Sequence, residues 1–234
     1  MVLPLAFEQL IGPERLALLR EVALMPHDLG AIVPEVRGGD HVVVLVHGFF
    51  ASAGVFRPLR ARLEAEPDGG ARVRVASFTH APGARVRRIA RRLGELVDRI
   101  PNGARVTIVG HSLGGVVARY YVQELGGHAR VTQTISLASP FGGVDVPRVL
   151  VGADLHGRSR LLERLRRGAA RCGTPHTSIV GSDDTLVGVQ PAMLGFGDVV
   201  VLPDRGHNAL LFCDRVARLV LDRVRPPLPP ARRA

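Results

Sequence analysis

Val106-Thr107-Ile108-Val109-Gly110-His111-Ser112-Leu113-Gly114-Gly115-Val116-Val117-Ala118-Arg119 is the stretch on which the reading of this chain turns. It opens with β-branched residues that suit a buried strand and closes with small and apolar residues at helical spacing. Between the two lies Gly110-His111-Ser112-Leu113-Gly114, a G-x-S-x-G pattern. A sharp strand-to-helix turn of this kind lifts its central serine above the sheet edge in a strained conformation. The flanking glycines meet a steric need, because a β-carbon at either position would collide with the neighbouring strand or helix. The following helix aims its N-terminal N–H groups at the serine, where they can meet developing negative charge. Ser112 is therefore the candidate nucleophile.

Working outward, the rest of the chain alternates strand and helix signals. Upstream, His41-Val42-Val43-Val44-Leu45-Val46 is a continuous run suited to a strand covered on both faces, and His47-Gly48-Phe49-Phe50 follows at its end. Residues 55–63 read as a helix and 72–78 as a strand. Residues 84–100 read as an amphipathic helix with Val86, Ile89, Ala90, Leu93, Leu96, Val97 and Ile100 inward, and Arg85, Arg87, Arg88, Arg91 and Arg92 outward. Downstream of Ser112 come a helix over 113–125, a strand over 131–137, and an Arg-rich helical piece over 159–171. A strand from Ser178 runs into the acidic turn at Asp183-Asp184, and a short strand covers 199–202. The loop Pro203-Asp204-Arg205-Gly206-His207-Asn208 precedes a C-terminal helix over 210–224. This order predicts an α/β fold in one domain, with a mostly parallel central sheet and helices on both faces. Residues 1–40 form an N-terminal helical extension, 41–224 the main domain, and 225–234 a disordered Pro- and Arg-rich tail. Within the domain, 144–175 is a small cap or a crossover helix. In the extension, Ile11, Leu16, Leu18, Leu19, Val22 and Leu24 have helical spacing behind Pro13 and are expected to pack on the domain.

Composition narrows the function classes. The 234 residues carry a net charge of +10, and every basic residue is arginine. These arginines are scattered and are not interleaved with aromatics, so coding bias explains them better than a nucleic-acid interface does. Peripheral contact with an anionic membrane stays open. Cys172 and Cys213 form no metal-binding spacing, and no carboxylate cluster suggests a metal, so neither metal nor cofactor is expected. The first ten residues lack a basic signal-peptide start, and no apolar run reaches the roughly 20 residues that span a bilayer. A cytoplasmic protein is the expectation.

A serine hydroxyl needs a base at neutral pH, and the imidazole needs a carboxylate to hold its tautomer. The order Ser112, then Asp183 or Asp184, then His207 supplies both, each partner in a loop after an expected strand. Together with Val46-His47-Gly48-Phe49, Gly110–Gly115, Gly181–Val187 and Gly206–Leu211, this order resembles the α/β-hydrolase superfamily, in particular small bacterial lipases and esterases. The resemblance spans roughly residues 40–224. It implies a Ser112–Asp184–His207 triad, with Asp184 favoured over Asp183 by its place just before Thr185-Leu186-Val187. It also implies an oxyanion hole made by the backbone N–H groups of Phe49 and Leu113. Phe50 and Phe141 are expected to line an apolar acyl site. The expected activity is hydrolysis of lipid or other hydrophobic esters through an acyl-enzyme. Thioesterase or acyltransferase chemistry on the same triad, and a non-catalytic membrane-docking scaffold, are the alternatives.

Overall fold

The computed structural model describes residues 12–65, 72–145 and 153–224. Its centre is a six-stranded, wholly parallel sheet. The strands are β1 (His41–Val46), β2 (Val73–Phe78), β3 (Arg105–His111), β4 (Gln133–Leu137), β5 (His176–Gly181) and β6 (Asp198–Leu202), in the order β2-β1-β3-β4-β5-β6. Among the described residues the α-helices are α1 (Pro13–Leu24), α2 (Arg57–Ala65), α3 (Val86–Val97), α4 (Leu113–Glu124), α5 (Arg160–Cys172) and α6 (Asp214–Val224).

The run at 41–46 is a strand buried at every position. Its side chains alternate between two apolar layers. Val42, Val44 and Val46 join the core built with α3, α4 and α5, while Val43 and Leu45 join the core built with α2 and α6. A strand sandwiched in this way has no polar face, which is why its sequence shows no alternation. The outward arginines of α3 are all exposed, as its amphipathic spacing predicts.

The chain leaves β1 to form β2 on one side and returns to form β3 on the other. The crevice between the carboxyl ends of β1 and β3 is thus a topological switch point, where open α/β sheets bind ligands. The pairing of Val46 with Gly110 brings His47-Gly48-Phe49 beside His111-Ser112-Leu113. The loops after β5 and β6, which carry Asp184 and His207, open on the same edge.

Two expectations about the extension change, and an alternative left open for the segment before β5 meets the structure. The extension is helical only over α1 among its described residues; Ile32 then makes an antiparallel bridge to Ser77 at the free edge of β2. The face of α1 also differs. Leu16 and Ala17 are buried, but Leu18, Leu19 and Val22 are 51–58% exposed and Glu21 turns inward. The helix is oriented by polar contacts that apolar spacing does not register: Glu14 accepts two backbone hydrogen bonds from the loop after β6. Finally, α5 is a crossover helix between β4 and β5, packing Leu162, Leu165 and Ala169 into the core beside α4. Residues 1–11, 66–71, 146–152 and 225–234 lie outside the described residues, and with them the tail and the signal-peptide reading.

Candidate active site

Ser112 sits between β3 and α4 with φ 51° and ψ −120°, a region that non-glycine residues avoid. The turn is held by the Ser112 N–H donating to Leu137 O at 2.8 Å and the Gly115 N–H donating to Ser112 O at 3.2 Å. Glycine is required on both sides. A β-carbon on Gly110 would overlap the backbone of Gly114 and Gly115, and one on Gly114 would overlap the Val46 carbonyl. The G-x-S-x-G spacing is thus a packing solution that puts the hydroxyl at the crevice.

His207 lies 95 residues on from Ser112. Its Nδ1 is 2.8 Å from Asp184 Oδ2, and both side chains are buried. The second carboxylate oxygen, Oδ1, accepts the N–H groups of Leu186 and Val187, each at 3.0 Å. Burial works against the charge on Asp184, but the His207 bond and charge and these two N–H groups outweigh it. The carboxyl is held below its ordinary range. Asp183 instead accepts from the Ser182 hydroxyl and is exposed, so the geometry selects Asp184 as the partner of His207.

Two further histidines brace the crevice. His47 Nε2 accepts the His80 N–H at 3.0 Å, which leaves Nδ1 to donate to Gly48 O at 2.8 Å. The two rings stack with centroids 3.8 Å apart. His111 Nε2 donates to His207 O at 3.1 Å, tying the serine turn to the imidazole loop. Burial pushes both His47 and His111 down to about 3, so they are neutral props at neutral pH.

Ser112, His111 and His207 line one cavity of about 480 Å³ with Gly48, Phe49 and Phe50. Its remaining wall is mostly apolar and includes Val144, Leu155, Leu186 and Val187. Leu113 is the first residue of α4, so its N–H has no acceptor inside the helix. Phe50 stands at the rim, 59% exposed. Phe141 is corrected: it is fully buried beneath the site, edge-on to His176, and does not line the cavity. A β-strand followed by Pro-Phe-Gly reads equally well as a pocket loop or as a core turn, and packing against His176 decides for the core.

Sequence reading missed the contribution of α1. Glu14 Oε1 and Oε2 accept the N–H groups of Asn208 and Ala209 at 2.8 and 2.9 Å, directly after His207. Leu18, Glu21, Val22 and Met25 of the same segment form a wall of the cavity. Glu14 is separated from Asn208 by 194 positions, and no local pattern announces such a pair. Among the described residues no group of histidine, cysteine or acidic side chains could hold a metal ion, and no helix is long and apolar enough to cross a membrane.

A parallel sheet with this strand order, carrying a strained serine at its switch point, has the α/β-hydrolase fold. Solved structures agree on the fold. A monoacylglycerol lipase from Paleococcus ferrophilus matches with a TM-score of 0.63 at 16% identity, over 80% of this chain and 95% of its own. The mature lipase BlEst2 of Bacillus licheniformis matches at 0.66 and 14% identity, over 84% and 97%. A meta-cleavage product hydrolase from Pseudomonas fluorescens matches at 0.60 and 17% identity, over 79% and 90%. The chain belongs to the family described as "Putative serine esterase (DUF676)", whose model matches residues 37–160, more than half of its length.

Proposed function

We propose that this protein hydrolyses carboxylic esters with apolar acyl groups, through a Ser112–His207–Asp184 triad and an acyl-enzyme. The observation that carries the reading is the 2.8 Å His207–Asp184 contact on the wall of the same mostly apolar cavity as the strained Ser112.

In the first half-reaction His207 Nε2 takes the proton of Ser112 as Oγ attacks the ester carbonyl carbon. The carbonyl π-bond breaks toward oxygen, and the backbone N–H groups of Phe49 and Leu113 receive the oxyanion. Each such donor is worth on the order of 3 kcal/mol. The tetrahedral adduct collapses, the C–O bond to the alcohol breaks, and the imidazolium gives its proton to the departing oxygen. Water then attacks the acyl-enzyme with His207 as base, releasing the acid and restoring Ser112. Asp184 acts through His207, fixing its tautomer and balancing its charge. No step calls for a metal or cofactor.

Leu18, Val22, Phe50 and Leu186 surround the mouth and are 50–59% exposed. An apolar mouth on a protein of net charge +10 suits substrate presented at an anionic lipid surface.

The test is a panel of p-nitrophenyl esters from short to long acyl chains, run with the wild type and Ser112→Ala. The wild type is expected to hydrolyse them. Ser112→Ala is expected to lose at least about a thousandfold in kcat, with its thermal melt unchanged. Retention of most of the rate by Ser112→Ala would defeat the proposal.

A further inference from the structure

One cavity residue has no place in the mechanism above. Among the described residues Glu21 is the only acidic side chain on the wall of the Ser112 cavity, and the residue is 8% exposed. Its carboxylate makes no hydrogen bond to the described residues, and the charges that act on it are those of His207 and Glu14. A carboxylate in an apolar wall with no hydrogen-bonding protein partner is left to water or to a ligand.

Its location is fixed by α1. Glu14 and Glu21 are seven residues apart, two helical turns on one face, about 10 Å along the axis. Glu14 is anchored on the N–H groups of Asn208 and Ala209. The same face therefore carries Glu21 from the His207 turn into the cavity. Glu21 and His207 line the same cavity, and the His207 charge reaches the Glu21 carboxyl. Because His207 protonates the departing alcohol, a group on its side of the cavity borders the alcohol and not the acyl chain.

We propose that Glu21 is a specificity residue that accepts a hydrogen bond from the alcohol portion of the ester, and that the preferred substrates are apolar acyl monoesters of a polyol. This rests on the esterase reading and adds the leaving-group class to it. A hydroxyl donor is favoured over a cation for two reasons. The net charge of +10 opposes the gathering of cations at the mouth. In addition, burial pushes the Glu21 carboxyl above its ordinary range, outweighing the pull of His207, and Glu14 adds to the rise. A hydroxyl bonds to either protonation state, whereas a cation needs the charge.

The experiment compares kcat/KM on three octanoyl esters, of glycerol, 1-propanol and choline, for the wild type, Glu21→Gln, Glu21→Leu and Ser112→Ala, with a thermal melt of each. The wild type is expected to favour the glyceryl over the propyl ester by about tenfold. Glu21→Leu brings that ratio to within about twofold of one, through loss on the glyceryl ester. Glu21→Gln, whose amide oxygen still accepts, leaves an intermediate ratio. A wild-type ratio near one with Ser112-dependent hydrolysis overturns the proposal and leaves the esterase reading standing. So does an equal loss on both esters in Glu21→Leu, or a preference for the choline ester. Should the Leu variant fail to fold, an unchanged ratio in Glu21→Gln overturns it. Hydrolysis by Ser112→Ala at the wild-type rate instead removes the esterase reading itself.

Discussion

Asp184 shows how a single carboxylate is kept charged where burial disfavours charge. One oxygen faces His207 Nδ1 and the other collects two backbone N–H groups, which together outweigh desolvation. Replacing it by asparagine preserves the shape but permits the wrong imidazole tautomer. Asp184→Asn is accordingly expected to lower kcat on a short-chain ester on the order of 10³- to 10⁴-fold, with KM within a few fold of wild type. A loss below tenfold would mean that Asp184 does not orient His207. Asp183→Asn, at an exposed neighbour, should stay near wild type in the same assay. At this scale the sequence was most legible where covalent geometry dictates residue type. Glycine at 110 and 114 is demanded by backbone contacts, and the serine between them is thereby marked. The choice of Asp184 over Asp183 was open from the residues alone, because both occupy the same turn and only the fold shows which one reaches the imidazole. Phe141 misled for the converse reason. Aromatic size favours a pocket wall and a core equally, and the side chain is spent on His176.

Among the elements, α1 departs furthest from what its sequence suggests. Its apolar spacing predicts an inward stripe through Leu18, Leu19 and Val22, yet these are exposed, and the inward face carries Glu14, Ala17 and Glu21. Two backbone N–H groups offered by the turn after His207 outbid a modest apolar stripe. The carboxylate of Glu14 also caps the short 3-10 helix Ala209–Phe212 from outside. A bidentate clamp of this kind holds the imidazole loop against drift, and small misplacements of a reacting group are costly in rate. Glu14→Ala is therefore expected to lower kcat by roughly tenfold while KM moves less than about threefold. The amide protons of Asn208 and Ala209 should exchange faster in that variant, read by hydrogen exchange in the unliganded protein. Unchanged exchange together with unchanged kcat would reduce Glu14 to a surface residue. The strands were legible as apolar, β-branched runs and the helices α2 to α6 through periodicity that reports burial directly; α1 was not, because its orientation is set by partners nearly 200 residues away.

For the whole molecule, the buried histidines set the response to acid. His47 and His111 have values near 3 in the folded state, and burial also pushes His80 and His176 down. In the unfolded chain each would titrate near 6.5. Between about pH 6.5 and 3 the unfolded state thus binds protons that the folded state refuses. The stability associated with these groups is fully present above 6.5 and falls as pH drops through that window. Each histidine contributes at most about 1.4 kcal/mol per pH unit there. Asp184, Asp28 and Asp40, held below the usual range, add their own loss as pH falls through about 4 and below. Glu21, raised by burial, runs the other way and offsets part of the loss. Thermal melts at pH 7.5 and 4.5 should differ by at least about 5 °C, with the acidic sample lower. Equal melting temperatures would mean that these histidines are not buried neutral. The fold that buries them also gathers Ser112, Asp184 and His207 at one sheet edge from the loops after three separate strands, β3, β5 and β6, and that convergence is the claim most exposed to test. The direct measurement is labelling with a fluorophosphonate followed by peptide mass analysis and residual ester hydrolysis. The account predicts a single adduct on Ser112, loss of activity in proportion to labelling, and sharply slower labelling in His207→Ala. Adduct formation elsewhere, or full activity with Ser112 occupied, would contradict it.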